Sequence, residues 1–177
     1  MTKKSAGILL YRSSEGPLEV LLVHPGGPFW ARKDDGAWSI PKGEFSEEEE
    51  PFAAALREFK EETSFLLSGE SMPLEPVKQP SGKIIYAWAM QGDVDATAVK
   101  SNTFTMEWPP KSGKQQEFPE VDEAQWFPIE IAESKIIKGQ MPILQQLAFK
   151  FPSRAKRDGG QSEKVPLQAL PKQDSLF

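Results

Sequence analysis

The chain has no cysteine and a single histidine. The first absence excludes disulfides and thiolate chemistry and is compatible with a reducing cytoplasm. The second leaves one imidazole, His24, whose place at a strand end favours a structural role over proton transfer. Apolar runs are short, and none approaches the roughly 18 residues of a membrane span. The N-terminus passes from Met1-Thr-Lys-Lys-Ser-Ala-Gly directly into a strand-like segment, without the apolar core of a secretory signal. Positive charge is also in deficit: 21 Lys and Arg stand against 26 Asp and Glu, for a net charge of −5. That balance offers no basic footprint for nucleic acid. A cytoplasmic protein without a membrane or nucleic-acid partner is expected, as monomer or homodimer. At 177 residues the length suits one domain with a sizeable core.

What the chain does have is acid, concentrated in residues 43–65. Glu58, Glu61 and Glu62 fall within five residues on a segment with helical period. A helix turns about 100° per residue, so with Phe52 at zero, Ala55, Leu56, Phe59 and Thr63 lie within roughly 60° of it. The three glutamates fall at roughly 240°, 180° and 280°, on the flank of that stripe. Pro51 suits the first helical position, where its missing N–H is no loss. Glu47 to Glu50 suit the positive end of the helix dipole and read as a solvated acidic stretch. Arg57 precedes Glu61 by four residues and is placed to pair with it or brace the cluster. Carboxylates packed this closely repel one another unless a cation sits between them, and a hard divalent ion with oxygen ligands meets that need.

The spacing is Gly-x5-Glu-x7-Arg-Glu-φ-x-Glu-Glu-x-Gly-φ, where φ is apolar. Gly43, Glu49, Arg57, Glu58, Phe59, Glu61, Glu62 and Phe65 match it. The segment resembles the Nudix box, the signature of the Nudix hydrolases. Ser64 stands where that family has a glycine, at a position that would end the helix in the left-handed conformation.

Along the chain, Ala6–Tyr11 and Leu18–His24 read as a strand hairpin, 25–36 as a Gly/Pro-broken loop, and Ala37–Ile40 as a short strand. The box helix spans Pro51–Ser64, and 66–81 looks irregular. Lys83–Met90 is the clearest strand, rich in β-branched and aromatic residues. Thr103–Trp108 alternates as a half-buried strand, 109–118 reads as a polar loop, and Ala124–Phe127 as a last strand. Ile129–Ile137 and Met141–Phe149 look helical. The pattern argues for a mixed sheet covered on both faces. The resemblance implies an α/β fold, an α/β/α sandwich with the box as loop-helix-loop, over residues 1–151. Residues 152–177 are expected to form a tail, disordered or docked through Val165, Leu167 and Leu170.

The resemblance further implies metal-dependent hydrolysis of a nucleoside diphosphate linked to another group, by water attack on phosphorus. It assigns Glu58, Glu61 and Glu62 to Mg²⁺ or Mn²⁺, with the Gly43 carbonyl joining them. Arg57 would orient the carboxylates, and Glu49 would be a structural or auxiliary acid of the box. Glu120, six residues ahead of Trp126, resembles the downstream acid that such enzymes recruit, with Glu117 second. Trp38-Ser-Ile-Pro-Lys-Gly resembles the approach to the box in dinucleoside polyphosphate and nucleoside triphosphate hydrolases. Lys42 is then a phosphate-binding candidate, with Arg32 and Lys33 as weaker ones. Phe29, Trp30, Tyr86, Trp88 and Trp108 are candidates to stack on a base, although aromatics in alternating segments are mostly core. Pro80, fifteen residues beyond Phe65, fits ADP-ribose-cleaving relatives instead. The expectations are a dinucleoside polyphosphate or nucleoside triphosphate substrate first and ADP-ribose or another nucleotide sugar second. A non-catalytic nucleotide-sensing module is the alternative of another class.

Overall fold

The computed structural model describes residues 2–13 and 16–152. The expected tail contacts at Val165, Leu167 and Leu170 lie outside that range. Strand β1 (Lys4–Arg12) is central and apolar on both faces. Its neighbours are β2 (Glu19–Pro25), β3 (Lys42–Glu44) and β6 (Ile84–Gln91). β6 runs parallel to β1 from the Lys4↔Ile84 to the Tyr11↔Gln91 pairing, whereas β2 and β3 are antiparallel to it. Strand β9 (Val121–Pro128) pairs antiparallel with β2 and closes that edge. At the other edge, β4 (Ser71–Pro73) and β5 (Val77–Lys78) pair with β6. The region read as irregular therefore supplies two very short strands, whose few residues and interrupting prolines hide any alternation.

A hairpin of β7 (Thr103–Glu107) and β8 (Gln115–Pro119) stands apart as a two-stranded sheet. The stretch 109–118 is thus only partly loop. β8 is polar except for Phe118, because an edge ribbon needs one apolar residue, not an alternating series, to seat it. The expected strand at Ala37–Ile40 is reduced to isolated bridges, Val23↔Ser39 and Trp38↔Ile136.

Helices cover both faces, as an α/β/α sandwich requires. Leu9, Tyr11, Val20 and Leu22 point to the side of α2 (Ile129–Lys135) and α3 (Met141–Lys150), where they meet Ile129, Ile143, Leu144 and Leu147. Ala6, Ile8, Leu10, Leu21 and Val23 point the other way, onto α1 (Pro51–Thr63). This is the period-2 alternation of a strand buried on both sides. No described helix is long and apolar enough to cross a membrane.

The buried face of α1 differs from the expected stripe. Ala54, Ala55, Glu58, Phe59 and Thr63 are buried, while Phe52 and Leu56 are only partly buried, packed at the border of the same core. On the same wheel the inward arc is centred near 280°, the direction of Glu62 itself. Glu58 and Glu62 lie within the packed face, and Glu61 stands at its edge. A wheel that assigns carboxylates to water cannot show this.

Ser64 ends the helix with φ 72°, in the left-handed region. Its N–H donates to the Lys60 carbonyl at 2.7 Å and its Oγ donates to the Lys100 carbonyl. A Cβ in this conformation costs about 1–2 kcal/mol, and one hydrogen bond returns about 1 kcal/mol. Ser64→Ala is expected to lower unfolding free energy by about 1 kcal/mol in urea titrations, and Ser64→Gly to leave it within about 0.5 kcal/mol of wild type.

Candidate functional site

Glu50 caps α1: one carboxylate oxygen accepts the Phe52 N–H at 3.0 Å and the other the Ala53 N–H at 2.8 Å. It is therefore a structural group, not part of a merely solvated run, and Pro51 follows it at the helix start. The next residue back, Glu49, takes a two-pronged contact from Arg57, with Nε at 2.7 Å and Nη2 at 2.8 Å. The remaining nitrogen, Nη1, donates to Glu58 at 2.8 Å and to the two oxygens of Glu61 at 3.2 and 3.1 Å. One planar fork thus holds three carboxylates, a geometry that lysine could not reproduce. Glu49 holds the guanidinium, and the guanidinium aims Glu58 and Glu61.

Strand β3 forms the opposite wall. A Cβ on Gly43 would lie 2.1 Å from the carboxylate of Glu58, so only glycine fits where the loop crosses the helix. One residue earlier, the Lys42 N–H donates to Glu62 Oε2 at 2.9 Å. Glu58 is 9% exposed, a low value for a carboxylate.

Glu120 joins these groups from the turn between β8 and β9. Its N–H donates to the Asn102 carbonyl at 2.8 Å, and its carbonyl accepts from Gly26 at 2.9 Å. Asn102 also donates to the Glu61 carbonyl at 2.8 Å, and Lys100 to the Thr63 carbonyl at 3.2 Å. Residues 100–102 form a strap from the last turn of α1 to Glu120. Backbone groups make these bonds, so no side-chain pattern in the sequence announces them.

The electrostatics show how crowded the site is. Burial pushes the Glu62 carboxyl up to about 8, against the opposing pull of the Lys42 N–H and ammonium, with Glu58 and Glu120 adding to the rise. Burial also raises Glu58, against Arg57, and Glu61 and Glu120 push it the same way. Glu120 is raised by burial and then by Glu61. Glu49 is lowered by its hydrogen bonds from Arg57, and Arg57 is raised in turn, by Glu49 first. Lys42 is lowered by burial despite the attraction of Glu62. Glu58, Glu61, Glu62 and Glu120 feel one another's charge and so share one neighbourhood.

An all-oxygen donor set of crowded carboxylates suits a hard divalent cation. Among the described residues, no three acidic or histidine side chains stand together at metal-holding spacing. Arg57 and the Lys42 N–H hold the carboxylates in their present positions.

The remaining candidates lie elsewhere. Lys33 places its ammonium over Trp30 at 4.8 Å and lines a separate cavity of about 540 Å³ with His24 and Asp122. Arg32 is exposed. Among the described residues, no contact links either to the carboxylates: the Lys33 end of the 26–36 loop is tied to His24 instead. His24 makes that tie: Nε2 meets the Lys33 carbonyl at 2.6 Å and Nδ1 meets Asp122 at 2.8 Å. Glu117 is exposed on β8. Tyr86 and Trp88 pack against Phe45 and Phe52, and Pro80 sits in an exposed turn. Phe29, Trp30 and Trp108 lie near the β7–β8 hairpin.

A family model described as NUDIX domain matches residues 1–147. No curated protein matches the chain. Among solved structures, a C. elegans Ap4A hydrolase in a binary complex is similar at TM-score 0.57 and 21% identity, covering 84% of this chain and 98% of that one. The NUDIX domain of Shewanella oneidensis NrtR, complexed with ADP ribose, is similar at TM-score 0.59 and 16% identity, over 85% of this chain and 89% of that one. A mutT/nudix family protein from Listeria innocua is similar at TM-score 0.56 and 18% identity, over 85% and 94%. These likenesses show a shared fold.

Glu62 yields a test of the site's strain. Its carboxyl is raised above the unfolded value, so its contribution to stability is full below about pH 4.5 and is lost as pH rises through about 8. In chelator, wild-type Tm should fall over that window. Glu62→Gln, which keeps an acceptor for the Lys42 N–H, should flatten the fall and melt higher than wild type at pH 8.

Proposed function

The chain belongs to the Nudix family of pyrophosphohydrolases, and from that premise we propose that it hydrolyses a dinucleoside polyphosphate or nucleoside triphosphate at the Glu58–Glu120 site. The observation that carries this reading is the convergence of Glu58, Glu61, Glu62 and Glu120, each within reach of another's charge. The box acids and their arginine brace are all present, which favours catalysis over nucleotide sensing.

In this reading Glu58, Glu61 and Glu62, with the Gly43 carbonyl, would hold Mg²⁺ or Mn²⁺. The bound cation would polarise the phosphoryl oxygens and lower the pKa of water. Glu120 takes the proton of the attacking water. Its raised carboxyl makes it a better base than an exposed glutamate. The water's oxygen bonds to phosphorus, the P–O bond of the anhydride breaks, and the displaced phosphate leaves with the bridging oxygen. Arg57 keeps Glu58 and Glu61 aimed throughout. Lys42, beside Glu62, offsets part of the negative charge that accumulates when an anionic substrate enters. Lys33 and Arg32 are left out, since Lys33 packs on Trp30 beside another cavity and Arg32 is exposed.

The substrate ranking rests on Trp38-Ser-Ile-Pro-Lys42-Gly43 and its lysine. ADP-ribose is the second reading, supported by Pro80 alone.

A phosphate-release panel of diadenosine polyphosphates, nucleoside triphosphates and ADP-ribose, with Mg²⁺ and with chelator, tests both class and ranking. Turnover should vanish with chelator. Glu61→Gln is expected to cut kcat by roughly a hundredfold or more at unchanged Tm. Glu120→Gln should cut it by about 10²–10⁴-fold. Equal rates with chelator would remove the metal site from the account, and cleavage of ADP-ribose alone would reverse the ranking.

A further inference from the structure

Next to Glu120 lies an apolar cavity of about 510 Å³ that the carboxylate site does not use. One wall is the loop after β2, with Gly27, Phe29 and Trp30; the other is β7, with Phe104 and Met106. The hairpin is one-sided: Phe104 and Met106 are half-buried, while Thr103, Thr105 and Glu107 are exposed. Its apolar face turns toward the loop, which lies so close that a Cβ on Gly27, at φ +93°, would stand 2.9 Å from Phe104 Cζ. Phe29 stays 61% exposed, and its ring meets Trp108 edge-on at 5.5 Å. The loop is fastened to the acid by the Gly26 N–H bond to the Glu120 carbonyl at 2.9 Å.

The chemistry of the walls restricts the occupant. Among the described residues, Glu120 is the one ionisable group that lines the cavity. A phosphate is therefore unwelcome inside it. A flat, uncharged ring attached to phosphates that run past Glu120 fits the walls. Aromatic faces stack on any base, and the volume falls within the usual range for a small-ligand pocket. We infer that the cleft between the 26–30 loop and β7 receives the nucleobase of the substrate, adenine where that substrate is a diadenosine polyphosphate, stacked among Phe29, Trp30 and Phe104. This rests on the hydrolase reading for what lies beyond Glu120. The base subsite itself needs neither metal nor turnover.

The full chain in EDTA is titrated with adenosine, followed by NMR shift changes, with ribose 5-phosphate as the base-free probe. Adenosine should bind and perturb the 26–30 and 103–106 amides, whereas ribose 5-phosphate should leave them unmoved. Phe29→Ala, at an exposed position, and Phe104→Leu, which keeps apolar bulk without the ring, should each weaken adenosine by about tenfold. Melting curves verify that both variants fold. Absence of adenosine binding to wild type, or unchanged affinity in both variants, overturns the assignment. So does a wild-type dimer that Phe29→Ala dissociates without altering adenosine affinity, since the patch is then a contact between copies. Because chelator removes catalysis, a failed phosphate-release panel leaves this result standing, and the reverse holds as well.

Discussion

One guanidinium organises this protein. Arg57 faces three carboxylates at hydrogen-bond distance, and two more, Glu62 and Glu120, belong to the same electrostatic neighbourhood. Burial disfavours the charged form of Glu58, Glu62 and Glu120, and repulsion from neighbouring acids adds to it. A helix face with this composition would not normally pack. It does so because the cost is shared among a cation fork, a backbone N–H from Lys42 and the side-chain-free surface of Gly43. Removing one partner leaves buried charge without compensation, which is more damaging than losing the contact alone.

The sheet is arranged around that requirement. β1 and β2 pair only at Tyr11–Arg12 and Glu19–Val20, then diverge. The chain from Trp38 to Glu44 enters the gap, bridging Val23 at Ser39 and pairing with β1 at β3. Gln140, fully buried, holds this insertion: its Oε1 accepts the Ile40 N–H at 3.0 Å and its Nε2 donates to Ser39 Oγ at 3.0 Å. The split in the sheet brings Gly43 against Glu58. On the other side the Lys100–Asn102 strap brings Glu120 to the end of α1. Two irregular segments, each fixed by backbone or amide hydrogen bonds, complete a site that the regular helix only begins.

Legibility followed the kind of interaction involved. The apolar alternation of β1, β2 and β6 and the spacing around Arg57 are carried by side chains in register, and both could be read. The inward rotation of α1 could not, because it depends on Gly43 arriving from another strand. β4 and β5 are too short for any period, and β8 offers a single apolar residue. Glu50 as a cap was hidden since glutamate is not among the usual capping residues. Ser64 still adopts the conformation its family gives to glycine, aided by a hydroxyl bond to Lys100 that local sequence does not reveal.

Acidity also explains how a chain of net charge −5 would manage an anionic ligand. Electrostatics alone would repel a polyphosphate. In the proposed reading the crowded carboxylates turn that liability to use: each raised carboxyl marks burial, and then repulsion, that a bound divalent ion would offset, and proton and metal would compete for the same oxygens. Such a site is least comfortable when empty of positive charge and gains stability from whatever supplies it. The apolar cleft beside Glu120 then divides the labour. In the proposed reading, charge is handled at the helix, and the uncharged end of the ligand is held where aromatic rings line the wall. An acidic protein can in this way select a phosphorylated ligand by its metal complex and its ring together, without a basic groove.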